Sequence, residues 1–182
     1  ATGTGNIFVR SGASICGNGV IEGNLSIDNG ASLFVGKGSD LSVLTVTSDV
    51  SLQSGSYLSV KLNVNDKTSD KLMVLGHLNL DGILYVNNND GGSFATGESY
   101  QIIDANSSSG NVKMVLPANP GEGLEWDTTY LGTYGYIRIV KEGTVGIDYA
   151  ASGIGFSIFP NPGSHIVKIS SPLISGNGDE YF

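Results

Sequence analysis

The sequence is poor in the residues that many functional classes require. Cysteine occurs once, at Cys16, so no internal disulfide can form. Arginine occurs only at Arg10 and Arg138, and nine bases against seventeen acids leave a formal charge of −8. With so few guanidinium forks on so acidic a chain, no nucleic-acid partner is expected. The two histidines, His77 and His165, lie far apart with no Cys-x-x-Cys or His-x-x-x-His spacing around them, and His77 is expected in a turn before a strand. Ala, Glu, Gln, Met and Arg together number only 20, a poor stock for helices. No run approaches the ~18 consecutive apolar residues of a membrane-spanning helix. The sequence begins at Ala1 with neither Met nor a charged-then-apolar leader, so any secretion signal is expected to have been removed or to lie upstream. Catalytic signatures are missing too. No Gly-x-Ser-x-Gly is present, and Gly17-Asn18-Gly19-Val20-Ile21-Glu22 ends in Glu where a dinucleotide loop needs glycine.

The chain is rich in Gly (27), Ser (23) and Asn (15), yet it also has 46 Ile, Val and Leu, too many for a disordered chain. These apolar residues alternate with Ser, Thr and Asn, which indicates an all-β protein. A length of 182 residues fits one domain, or one domain plus a tail.

Internal repetition is the most informative pattern. Ile7-Phe8-Val9-Arg10-Ser11-Gly12-Ala13-Ser14-Ile15, Leu25-Ser26-Ile27-Asp28-Asn29-Gly30-Ala31-Ser32-Leu33 and Val50-Ser51-Leu52-Gln53-Ser54-Gly55-Ser56-Tyr57-Leu58 superpose without a gap. Leu78-Asn79-Leu80-Asp81-Gly82-Ile83-Leu84 fits as a fourth copy if one residue is deleted before its glycine. Each copy reads as a short alternating strand, a glycine corner and a second alternating strand. Period-two alternation sends Ile7/Val9, Leu25/Ile27, Val50/Leu52 and Leu78/Leu80 to one face, and the corner returns Ile15, Leu33, Leu58 and Leu84 to the same interior. One copy cannot cover its own apolar face, whereas stacking like on like makes a continuous core. The expected architecture is therefore a single-stranded parallel β-helix, or β-solenoid, with an antiparallel β-sandwich as the alternative. Strands at residues 100–104, 112–116 and 136–140, with Trp126 between them, place a β-rich closing region at residues 93–142.

The run Thr68-Ser69-Asp70-Lys71-Leu72-Met73-Val74-Leu75-Gly76-His77-Leu78-Asn79-Leu80-Asp81-Gly82-Ile83-Leu84-Tyr85-Val86 resembles the last coils of bacterial autotransporter-associated β-strand-repeat proteins, including adhesin-like passenger domains. Tyr100-Gln101-Ile102-Ile103-Asp104-Ala105, Gly123-Leu124-Glu125-Trp126-Asp127-Thr128-Thr129-Tyr130-Leu131 and Gly135-Tyr136-Ile137-Arg138-Ile139-Val140 are similar to the segment that often closes such arrays. Nearer the end, Phe156-Ser157-Ile158-Phe159-Pro160-Asn161-Pro162-Gly163-Ser164-His165-Ile166-Val167-Lys168-Ile169 resembles the opening of the C-terminal sorting domain of type IX secretion cargo in the Bacteroidetes. Such domains continue for several more strands, whereas here low-complexity residues 175–180 follow, so a truncated unit is expected. The resemblance implies an extracellular or outer-membrane surface location and a tail addressed to secretion machinery. Small residues at Ala150-Ala151-Ser152-Gly153-Ile154-Gly155 suit a linker, dividing the chain into repeats and closing strands (1–148) and a tail (149–182).

Solenoid lyases and hydrolases need clustered acids on one outer face. The outward columns hold Phe8, Ser26, Ser51 and Asn79 before the corner and Cys16, Phe34, Ser59 and Tyr85 after it, without a carboxylate pair. Only convergence of Asp66, Asp70 and Asp81 from neighbouring loops would supply one. Phe34 and Tyr85 are candidate ligand-binding residues, since exposed ring faces can stack on sugars. The Asn/Asp-rich runs at 63–70 and 87–90 make Asp66, Asp70 and Asp90 candidate calcium ligands, although the same residues favour turns without metal. No other cofactor is expected. The reading is a non-catalytic structural or adhesive surface module whose partner is a host or environmental glycan or a surface protein. An accessory glycan-binding module of a larger polysaccharide-processing enzyme is the alternative. Cys16, in an outward column, is expected to be an accessible thiol.

Overall fold

The computed structural model describes residues 4–144 together with two short strands further on, Ser157–Ile158 and Ile169–Ser170. The chain divides into two compact units, Ala1–Gly146 and Ile147–Phe182. In the second, the described residues form one antiparallel pair, Ser157 opposite Ser170 and Ile158 opposite Ile169. The Pro160-Asn161-Pro162 motif, His165, residues 149–156 and the boundary at 148/149 lie outside the described residues.

The regular structure of the first unit is β apart from one helical turn, and its two large sheets are built mainly of parallel strands. Strands β1 (Ile7–Val9) and β2 (Ser14–Gly17) belong to the first repeat. Then come β3 (Gly19–Ile21), β4 (Leu25–Ile27) and β5 (Ser32–Val35), followed by β6 (Val43–Val46), β7 (Val50–Leu52) and β8 (Tyr57–Asn63). A two-residue strand β9 (Thr68–Ser69) turns back on β8, and β10 (Lys71–Leu80) and β11 (Ile83–Asn88) complete the next repeat. The remainder comprises β12 (Ser99–Gln101), β13 (Ile103–Gly110), β14 (Met114–Leu116), β15 (Leu124–Asp127), a one-turn helix α1 (Leu131–Tyr134) and β16 (Tyr136–Lys141).

The registers of the first three copies are those of the gapless superposition, and the fourth keeps them with two residues fewer between its strands. Ile7 pairs with Leu25, Leu25 with Val50 and Val50 with Leu78. After the corner, Ile15 pairs with Leu33, Leu33 with Leu58 and Leu58 with Leu84. Register in a sheet is fixed wherever one face is buried, because a one-residue slip would turn every core side chain outward. Here Ile27, Leu33, Leu52, Leu80 and Leu84 are 0 % exposed and Leu58 is 1 % exposed. Each such side chain is stabilised by about 1.5–3 kcal/mol relative to an exposed one. An antiparallel sandwich is not what the chain builds, since like residues of successive copies lie beside one another in parallel strands.

Three features depart from the sequence reading. The repeats contain a further ladder, in which Ile21 pairs with Val46, Val46 with Val74 and Val74 approaches Ala105. In the first three of these, a three-residue step, Glu22-Gly23-Asn24, Thr47-Ser48-Asp49 or Leu75-Gly76-His77, leads into the recognised copy. His77 accordingly lies within β10, at a register irregularity, and not in a free turn. Next, Gly82 lies in the fourth corner, between β10 and β11, but without the positive φ of the others. Gly12, Gly30 and Gly55 share φ near +78, +74 and +79, which a residue with Cβ resists. Gly82 instead stands beside Ser56, whose Oγ and carbonyl oxygen a Cβ would meet at 2.7 and 2.8 Å, because this corner is shorter on both sides of the glycine. Finally, residues 93–142 are only partly a closing region. β13 and β14 extend the parallel ladders, Leu80 facing Gly110 and Leu84 facing Val115, and only β12, β16 and β15 form a separate antiparallel sheet. Asn106-Ser107-Ser108-Ser109 in β13 carries no apolar alternation, so the strand is held by ladder hydrogen bonds and leaves no periodic signal.

Tyr100, Ile102, Ile103, Trp126, Leu131, Ile137 and Ile139 continue the core under that antiparallel sheet. Phe94 meets Trp126 and Tyr100 edge-on at 5.2 and 6.1 Å, and the indole N–H of Trp126 donates to the Pro117 carbonyl at 2.9 Å. Burial, followed by the adjacent Glu98 carboxylate that accepts its O–H at 3.2 Å, pushes the Tyr100 phenol far above its ordinary range.

Candidate functional site

The outer surfaces of the two parallel sheets are chemically opposed. On the larger one, the residue entering each copy forms a polar rung. Asn24 N–H donates to Asn6 Oδ1 at 3.2 Å, Asp49 N–H to Asn24 Oδ1 at 3.0 Å, and His77 N–H to Asp49 Oδ1 at 2.7 Å. Beside these rungs runs the column Phe8, Ser26, Ser51, Asn79 and Ser109. A shallow groove of about 260 Å³ follows them, touched by Phe8, Asn24, Asp49, Ser51, His77 and Asn79. The His77 ring lies between two hydroxyls, Nδ1 at 3.0 Å from Ser107 Oγ and Nε2 at 2.8 Å from Ser109 Oγ. A neutral imidazole satisfies one hydroxyl as donor and the other as acceptor. The nearby carboxylate of Asp49 is spent on the His77 backbone and does not orient the ring, so the arrangement lacks the third member of a nucleophile triad.

On the smaller sheet the alternation brings out two columns without a charge. One runs Ser14, Ser32, Tyr57, Ile83 and Met114, the other Cys16, Phe34, Ser59, Tyr85 and Leu116. Phe34, Tyr57 and Tyr85 are 42 %, 37 % and 46 % exposed, and Met114 is 53 % exposed. Phe34 and Tyr85 flank Ser59 from the strands on either side, as the sequence predicts, and Cys16 is exposed at the end of their column. Tyr57 was not among the sequence candidates. It stands two residues before Ser59 on β8, so strict alternation had already put it on the same face.

The candidate metal ligands are not brought together. Both oxygens of the fully buried Asp70 are occupied, Oδ1 by Ser42 N–H at 2.7 Å and Oδ2 by Lys61 N–H at 2.8 Å, and Lys61 Nζ sits 2.9 Å from Oδ2. Asp66 is exposed in the turn between β8 and β9. Asp90 accepts from Val64 N–H at 3.0 Å, Asn65 N–H at 2.8 Å and Gly92 N–H at 3.1 Å. Desolvation pulls the Asp90 carboxyl upward, but the N–H donors of Asn65, Gly92, Val64 and its own backbone outweigh it and hold the group below the usual carboxylate range. The two Asn/Asp runs thus serve one another, with Asn89 Nδ2 also donating to Asn63 Oδ1 at 2.8 Å. Asp81 pairs with Lys113 at 2.5 Å, away from Asp70, so the acids named as a possible catalytic cluster are dispersed. Among the described residues no three His, Cys, Asp or Glu side chains converge on a metal position.

No family model and no curated protein matches the chain. Its chemistry is therefore read from its own residues: a polar surface whose groups bind each other, and an uncharged aromatic surface whose groups do not.

Proposed function

We propose that the chain is a β-solenoid module of a bacterial cell-surface or secreted protein, a single-stranded parallel β-helix that acts as a non-catalytic support and adhesive surface. The observation that carries this reading is the agreement between the sequence copies and the parallel ladders, Leu33 beside Leu58 and Leu58 beside Leu84. A stack of this kind is quasi-one-dimensional, each repeat resting on its neighbours, and it presents long regular faces and variable corners outward. Commitment of Asp70, Asp81 and Asp90 to protein donors favours a supporting over a catalytic role. The tail's likeness to a sorting-domain opening favours export. A second reading, an accessory glycan-binding module, is favoured by the exposed rings of Phe34, Tyr57 and Tyr85.

Protease treatment of intact producing cells tests the first reading. Release of peptides from residues 36–42 and 64–67 is expected, and protection of the chain until the cells are lysed would overturn the surface location. Appearance of unsaturated uronate when the purified protein is mixed with polygalacturonate would overturn the non-catalytic role.

A further inference from the structure

We infer that the outer face of the six-stranded sheet is a stacking platform for a single chain of uncharged polysaccharide, lying across β5, β8 and β11 with Tyr57 at its centre. The inference rests on the adhesive reading above and names its ligand class.

The geometry selects an occupant of this kind. Phe34 and Tyr85 are two strands apart, about 9.5 Å, and Tyr57 lies on the strand between them, displaced by two residues, about 7 Å. All three residues are between one-third and one-half exposed, so part of each ring reaches solvent while the rest lies against its neighbours. Such rings offer flat apolar faces, and Tyr57 and Tyr85 add hydroxyls at their edges. Ser59 and Ser32 fill the intervening positions with small hydroxyl groups. A pyranose unit has the complementary surface, an apolar C–H face bounded by hydroxyls.

Size and charge exclude the other occupants. Five strands span about 19 Å and the two outward positions about 7 Å, so the strip covers about 130 Å². A stable protein interface needs about 800 Å² from each partner, which this strip cannot supply to a second copy or another globular surface. Neither column carries a charge, while the whole chain carries −8. Lys61, two residues beyond Ser59 on β8, and Lys113, beside Met114, are each paired with an acid, Asp70 and Asp81. An acidic polymer would therefore be repelled without an uncommitted base to hold it, and a basic one would find no acid in the strip. A neutral linear chain is the remaining fit.

The test is native gel electrophoresis of the full chain through hydroxyethylcellulose, galactomannan or arabinoxylan, with polygalacturonate as the charged counterpart. Retardation by at least one neutral polymer and not by polygalacturonate is expected. Tyr57→Ala and Tyr57→Leu should each weaken retardation about twofold to tenfold, the share of one ring face, and Tyr57→Phe should restore it. The leucine variant keeps apolar bulk on the strand, so it separates loss of a ring from loss of fold. Thermal unfolding of each variant is recorded alongside. The inference is overturned if none of the neutral polymers retards the protein, if polygalacturonate alone does, or if Tyr57→Leu binds as wild type does. Conversion of a dimer to a monomer by Tyr57→Ala would assign the strip to a second copy and also overturn it. Failure here leaves protease accessibility on cells untouched, so the two readings fail separately.

Discussion

The two parallel sheets share one interior and the same repeating backbone, yet their outer faces differ in how completely they satisfy themselves. On the seven-stranded sheet Asn6, Asn24 and Asp49 each accept an N–H from the next repeat, and His77 is held by Ser107 and Ser109. On the six-stranded sheet Phe34, Tyr57 and Tyr85 are left exposed. A self-bonded polar face strengthens the stack and has little left to offer a partner. An open uncharged face adds little to the stack and keeps its capacity for contact. Self-bonded and open surface thus lie on opposite sides of the same repeats.

Breaking what both faces depend on should have the largest effect. Leu58→Asp would place an unpaired charge in the shared interior, and a loss of more than about 4 kcal/mol, enough to abolish cooperative thermal unfolding, is expected. A retained sigmoidal melt would contradict the buried stack. Next comes the ion pair beneath the loops of the six-stranded sheet. Lys61→Met leaves Asp70 charged and buried without its cation, and chemical denaturation should show a loss of about 3–5 kcal/mol. The rungs of the polar face come third: Asp49→Ala removes one acceptor from the exposed ladder and should cost about 1 kcal/mol. The same measurement on Tyr57→Ala, on the open face, should show a change within about 0.5 kcal/mol. If these last two reversed order, the contrast between the faces would fail.

The smallest effect concerns acid. Because the folded Asp90 carboxyl is held below its ordinary range, its contribution is in place above that range and is lost as pH falls through the folded value. Asp90→Asn should therefore lower the unfolding temperature slightly at neutral pH, and the gap to wild type should close in acid. A gap that stays constant with pH would assign the loss to geometry and not to charge.

The sequence showed what periodicity can show. Leu33, Leu58 and Leu84 announced their neighbours because like residues recur where a buried stack needs them. Val46 and Val74 belong to a ladder just as regular, but its first strand sets Gly19 beside Leu44, so the apolar alternation of the later copies is missing from the first. The serines of β13 carry no hydrophobic signal, and their place depends on hydrogen bonding to β10. For the candidate site, Phe34 and Tyr85 were legible from alternation alone. The fate of Asp70 was not, since its partners Ser42 and Lys61 come from segments that only folding brings together.

The repeats also differ in how much chain they consume. From β2 to β3 the chain passes a single residue, whereas residues 36–42 separate β5 from β6, and residues 64–70 separate β8 from the following long strand, with only β9 between them. Each repeat nevertheless adds one strand spacing, about 4.8 Å, to the stack. Axial length is therefore counted in repeats and not in residues, and most of the surplus emerges at the same corner. That corner can gain or lose residues without resetting any register, a margin along which new surface can be written while the underlying ruler keeps its marks.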